Sequence, residues 1–189
     1  MKRIIAVLLT LILALSLIPT VAFAEGNVTF TVTASKSQVT VGDEVDVTVA
    51  VSAIEKSRGV AVYLNYDKAK VQYVSGGADD TTTLGDASDY EHIESTAQVG
   101  FVAELKKQTD VEASTLMTVK FKAIADGEAT FSLCDAEAPY GEGKDGGLYD
   151  VDESSTAKVT INKPIVKVTG VTLNKSTMSL VATAEETLT

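Results

Sequence analysis

From residue 28 onward apolar and polar side chains alternate with a period of two, and this alternation limits the chain to strands. Val28, Phe30 and Val32 interleave with Thr29, Thr31 and Thr33, while Val45, Val47, Val49 and Val51 interleave with Asp46, Thr48 and Ala50. Side chains two apart on an extended strand share a face, so each run offers one apolar and one polar surface. Such a pattern suits antiparallel sheets with one wet side. The abundance of Val and Thr points the same way, because β-branched side chains favour the pleated backbone over the helix.

The pattern recurs along the chain. Gly42-Asp43-Glu44 is a turn signal, and Gly59 to Asp67 then places Val60, Val62, Leu64 and Tyr66 on a core face, with Ala61, Tyr63 and Asn65 pointing away. A turn at Asp67-Lys68 precedes Val71, Tyr73 and Val74. Ser75 to Ser88, with Gly76-Gly77, Asp79-Asp80 and a run of Thr, has no hydrophobic period and reads as an exposed loop. Strands resume at Val99 to Leu105, Leu116 to Ile124 and Ala129 to Leu133, the last two joined at Asp126-Gly127. A long acidic loop is expected over Cys134 to Gly147, and a final strand through Ala157, Val159 and Ile161. Glu104 to Glu112 allows a turn or two of helix but lacks an i, i+3, i+4 apolar stripe. Eight or nine short strands at this spacing predict an all-β sandwich.

The first 24 residues stand apart. Lys2 and Arg3 precede an apolar run from Ile4 to Ile18, Pro19 ends it, and Ala22-Phe23-Ala24 forms an A-x-A cleavage signal. The run is shorter than the about 20 residues a membrane span needs. Residues 1–24 are therefore expected to be a signal peptide, leaving a secreted chain with no membrane insertion after cleavage. Residues 25–162 make the sandwich domain. Lys163-Pro164 is a linker break, and residues 163–189 look like the opening of a further domain that stops after two or three strands.

Composition removes several functions. The chain has 26 acidic and 16 basic residues, a formal net charge of -10, which argues against nucleic-acid binding. One His and one Cys exclude a multi-His zinc site, an internal disulfide and CxxC motifs. His92 without a matched nucleophile is no catalyst and reads as a strand-edge or loop polar residue. Cys134 reads as a small buried hydrophobe. No motif frames a pair of catalytic carboxylates, so no enzymatic activity is expected. The acids Asp135, Glu137, Asp145, Asp150, Asp152 and Glu153 invite a calcium reading, but they lack EF-hand order. They read as solvated loop acids, and no cofactor is expected.

Residues 28 to 162 resemble cohesin modules, the dockerin-binding domains of cellulosomes and related cell-surface assemblies. The resemblance rests on Val41-Gly42-Asp43-Glu44-Val45-Asp46-Val47-Thr48-Val49 and on Gly59-Val60-Ala61-Val62-Tyr63-Leu64-Asn65-Tyr66-Asp67. Val71-Gln72-Tyr73-Val74 and the runs Val99 to Leu105 and Leu116 to Ile124 add to it. Residues 166 to 189 look like the start of a bacterial Ig-like group 2 domain, through Val168 to Ser176. The cohesin resemblance implies a jelly-roll sandwich of about nine strands whose sheet face receives a helical dockerin. It also implies partner contacts at Ala61, Tyr63 and Asn65, with Val102 and Glu104 on a second strand. The Pro that commonly follows Tyr-Asp in the family is Lys68 here.

Two alternatives accompany this reading. A polysaccharide-binding module on a similar sandwich would need exposed aromatic rings; Trp is absent, and Tyr63, Tyr73, Tyr90, Tyr140 and Tyr149 do not form a row within one strand. A structural stalk or adhesin repeat is favoured if residues 163–189 begin a run of Ig-like units.

Overall fold

A computed structural model describes residues 27–79, 84, 88–141 and 146–165. The proposed signal peptide and the Ig-like segment from residue 166 onward lie outside the described residues. Within them every regular element is a strand, and nine strands have six residues or more: β1 (Val28–Ala34), β3 (Glu44–Val51), β4 (Ile54–Tyr66), β5 (Val71–Ala78), β6 (Ser88–Ile93), β7 (Gln98–Val111), β8 (Ser114–Ala123), β9 (Gly127–Glu137) and β13 (Thr156–Asn162). Short pieces complete the set: β2 (Gln38–Thr40), β10 (Pro139–Tyr140), β11 (Gly147–Leu148) and β12 (Val151–Asp152).

These strands form a jelly-roll sandwich of two sheets. The smaller sheet runs β12-β1-β3-β8-β5. In the larger sheet β4 is central: β7 and then β6 lie on one side, while β9 followed by β13 and β2 lie on the other. β10 prolongs the β9 side, pairing Tyr140 with Ser57, and β11 pairs with β10. Most pairs are antiparallel; β1 with β12 and β13 with β2 are parallel.

The predicted alternation sets which side chains meet between the sheets. Phe30, Val47, Val49, Val119 and Phe121 from one sheet face Val62, Leu64, Phe101 and Phe131 from the other, all fully buried. Phe121 is central to the aromatic packing, with ring centroids 4.9 Å from Tyr66 and 5.0 Å from Phe131. The expected turns also form. At Gly42 (φ +102°) the chain reverses with Thr40 N–H bonded to Asp43 Oδ2, and Asp67 Oδ1 accepts the Ala69 N–H.

Three expectations need correction. The loop expected from Ser75 begins later, since β5 continues to Ala78 through backbone pairing of Gly76 and Gly77 with β8. The stretch offered as a helical turn is the far half of β7, held by Ile54 pairing with Val111 and Ser57 with Thr109. Most of its side chains are exposed, so its extended form comes from ladder bonds rather than from a buried stripe. The acidic loop expected from Cys134 also starts later, because β9 runs to Glu137 and β10 follows.

Phe121→Ala should cost about 3–5 kcal/mol of stability by leaving a cavity between the sheets. Thr31→Ala, on an exposed outer position, should cost less than about 1 kcal/mol. Urea denaturation of both variants measures the difference.

Candidate functional site

The larger sheet turns the odd residues of β4 outward, and its neighbours supply the rest of that face in register. One cross-strand row is Ile93, Gln98, Asn65 and Ser132; the next is Glu91, Gly100, Tyr63 and Cys134; the third is Asp89, Val102, Ala61 and Glu137. Glu104 stands opposite Gly59 at the end of this patch. All five residues expected to meet a partner, Ala61, Tyr63, Asn65, Val102 and Glu104, thus share one sheet face. Glu104 is exposed and the other four are half-buried.

Tyr63 is held by its neighbours. Its ring lies across Gly100, where any Cβ would collide with the ring carbons, so glycine lets the ring lie flat over β7. The hydroxyl then reaches β6 and donates to Glu91 Oε1 at 3.2 Å. The hydrogen bond to Glu91 pushes the Tyr63 phenol above its ordinary value, and burial and the Glu91 charge add to the rise. Beside it, Gln98 Nε2 donates to Cys134 Sγ at 3.5 Å and Asn65 also bonds the thiol. Burial raises the thiol pKa, and the Asp135 charge adds to it.

A β-bulge interrupts β9 at this point. Tyr63 pairs with Cys134 but Ala61 pairs with Glu137, one residue further than a regular ladder allows. Asp135 takes up the difference at φ +51°, and the Ala136 N–H donates to Glu153 Oε2 at 2.8 Å. The bulge re-aims the end of β9 and swings Glu137 to the rim of the face. Behind it, a depression of about 350 Å³ opens between β4, β7 and β10, lined by Ala61, Val102, Glu104, Glu137 and Tyr140 among others.

Cys134 sits differently from expectation, whereas His92 lies on an edge strand as expected. Cys134 is not a core residue: Phe131 and Leu133 point inward, so the period of two puts Cys134 outside, half-buried next to Tyr63. His92 is on strand β6 and points between the sheets. Its ring stacks on Tyr73 at 3.8 Å, and Nε2 lies 2.9 Å from the Tyr66 hydroxyl and 3.3 Å from Glu94 Oε2. Tyr90 also points inward, with its hydroxyl 3.3 Å from that of Tyr73.

Sequence reasoning missed Glu91, Gly100, Glu137 and Tyr140 as members of this face. Gly100 carried a signal, since a glycine inside a strand marks a close approach. Glu91 carried none, because the inward residues of β6 are Tyr90 and His92 rather than aliphatics. Of the acids in the 135–153 segment, Glu153 Oε2 accepts the Ala136 N–H at 2.8 Å and Asp152 Oδ1 accepts the Ser154 N–H at 3.0 Å. Among the described residues no three metal-ligating side chains cluster, and no helix is long and apolar enough to cross a membrane.

The family description "Cohesin domain" matches residues 28–166. The chain belongs to the cohesin family. Solved structures share the fold. A cohesin from a type I cohesin–dockerin complex of Clostridium thermocellum aligns with a TM-score of 0.57 at 11% identity, over 73% of this chain and 95% of that one. A non-cellulosomal cohesin from Archaeoglobus fulgidus aligns at 0.54 and 16%, over 70% and 91%. The cohesin module of a family 33 glycoside hydrolase from Clostridium perfringens aligns at 0.55 and 17%, over 74% and 98%. No curated protein matches the chain. Cohesins are non-catalytic binding modules.

Replacing Glu91 by Ala should lower the Tyr63 phenol pKa, because it removes the carboxylate that favours the protonated phenol. A pH titration followed on the Tyr63 ring carbons by NMR checks this; an unchanged midpoint would contradict the Tyr63–Glu91 hydrogen bond.

Proposed function

We propose that this cohesin is an exported, non-catalytic module that docks a dockerin-bearing protein on the outer face of β6, β7, β4 and β9. The observation that carries the reading is the make-up of that face in a chain of this family. Ala61, Val102 and the Tyr63 ring form a small, weakly polar centre, and Glu91, Glu104 and Glu137 stand around it. An aromatic residue at the centre of a polar rim is the usual composition of an interface hot spot. Tyr63 is also immobilised by Gly100 and Glu91 before any partner arrives, which reduces the entropy lost on docking.

The apolar leader over residues 1–24 supports export, and membership of the cohesin family supports a role in a cell-surface or polysaccharide-degrading assembly. The Clostridium thermocellum neighbour is described as part of a cohesin–dockerin complex, which supports a dockerin-type partner here. The polysaccharide-binding alternative is weakened, since Tyr73 and Tyr90 pack against the core and offer no ring to a glycan surface.

Calorimetric titration against a panel of dockerin modules tests the reading. At least one dockerin should bind at micromolar concentration or better. Tyr63→Ala should weaken that binding by about 2 kcal/mol. Thr31→Ala, on the other sheet, should leave it unchanged. Absence of binding by every dockerin, or equal losses from both variants, would contradict the assignment.

A further inference from the structure

One edge of the smaller sheet is built unlike the other edges. β5 (Val71–Ala78) ends that sheet and, among the described residues, pairs only with β8. Its sequence, Val-Gln-Tyr-Val-Ser-Gly-Gly-Ala, holds no charge and no proline, although the chain as a whole is acidic. The other described edges are short or charged: β2, β11 and β12 have three residues or fewer, and β6 carries Asp89 and Glu91. Edge strands that stay unpaired are ordinarily short, charged or interrupted by proline, because their open backbone groups template another strand. Val74, 44% exposed, adds an apolar side chain at the middle of this edge.

The bulge at Val74 makes this edge symmetric. The Lys70 carbonyl accepts the Ile124 N–H, and the Asp79 N–H donates to the Leu116 carbonyl, so both ends of the strand bond towards β8. Alternation then turns the backbone groups of Val71 and Tyr73 away from β8 before the bulge, and those of Gly76 and Ala78 after it. A two-fold axis between Val74 and Ser75 brings the two sets into register, with Tyr73 opposite Gly76 of a second copy and Val71 opposite Ala78. In an unbroken strand of period two this axis would be out of step. The ends match in charge as well. Lys68 and Lys70 precede the strand and Asp79 follows it. Lys68 is exposed, and Lys70 Nζ donates to the Asp126 carbonyl at 2.6 Å. An antiparallel pair lays the basic end of one copy beside the acidic end of the other, and an isologous contact makes that match twice.

We propose that two copies of this chain associate by antiparallel pairing of their β5 edges, which joins their smaller sheets into one. Tyr73 exchanges both backbone bonds with Gly76 of the second copy. The Val71 carbonyl accepts the Ala78 N–H, while the Val71 N–H keeps its bond to the Asp67 carbonyl at 2.9 Å. The two Val74 side chains meet at the axis. Because the axis crosses the joined sheet, the larger sheets of both copies look the same way, and one dimer carries two outer faces side by side. The inference does not depend on the docking reading, since β5 belongs to the other sheet.

Analytical ultracentrifugation of the full chain from about 10 μM to about 1 mM, the range of weak self-association, tests the pairing. The weight-average mass should climb with concentration and level off at two copies. Val74→Lys places a charge at the axis and should weaken association about tenfold or more. The combined Lys68→Glu and Lys70→Glu variant, and separately Asp79→Lys, set like charges together twice, so each alone should stay monomeric. Mixed in equal amounts, those two should recover a mixed dimer, which a loss of folding in either would not allow. Thr31→Lys, on the outer face of the same sheet, should associate as wild type, and thermal melts should show every variant folded. A mass that stays at one copy throughout overturns the proposal. So does a dimer that Val74→Lys and the charge variants leave intact, since its contact then lies elsewhere, and so does a mass that rises past two copies without a plateau. A chain that dimerises in this way but binds no dockerin loses the docking reading alone; a strict monomer that binds one loses only the pairing.

Discussion

The register between β4 and β7 is the constraint on which the rest of the structure depends. Val62 opposite Phe101 and Leu64 opposite Val99 place four core side chains between the sheets. The same pairing puts Tyr63 opposite Gly100 and Ala61 opposite Val102 on the outside. A slip of one residue would expose the first set and bury the second, so the hydrophobic core and the outer face proposed for docking are specified together. The core enforces the register energetically, and the face inherits its geometry at no separate cost.

Local departures from regular pairing then shape that face. Gly100 gives the Tyr63 ring a flat bed, and Glu91 on the next strand takes its hydroxyl. The bulge at Asp135 turns Glu137 to the rim. Ala61, with only a methyl group, leaves the depression beside Val102 open. Each departure sits on the same few strands, whereas the outer face of the smaller sheet carries Thr29, Thr31, Thr33 and an internally neutralised Asp46–Lys120 pair.

How much of this was legible in the sequence depended on which side chains had to be apolar. Val60, Val62, Leu64 and Tyr66 alternate strictly, so their inward orientation, and hence the outward one of Ala61, Tyr63 and Asn65, could be read directly. The same rule applied one step further would have placed Cys134 outside, next to Tyr63; its chemical softness suggested burial instead. β6 was illegible because Tyr90 and His92 fill its inward positions and Asp89 and Glu91 its outward ones, leaving no aliphatic period. The outer half of β7 was illegible for the opposite reason: its residues are held by backbone bonds to β4, which side-chain pattern does not report. The depression needed β10 and the bulge together, and both depend on pairing partners far away in the chain.

A cohesin built this way presents a preorganised, negatively charged sheet face rather than a cleft. Amide hydrogen exchange of the full chain, with and without a bound dockerin, measures that claim most directly. The account predicts that added protection is confined to the β4 segment 59–65, the β7 segment 98–104 and the end of β9. Protection that falls instead on β1, β3 and β8, with β4 and β7 unchanged, would contradict it.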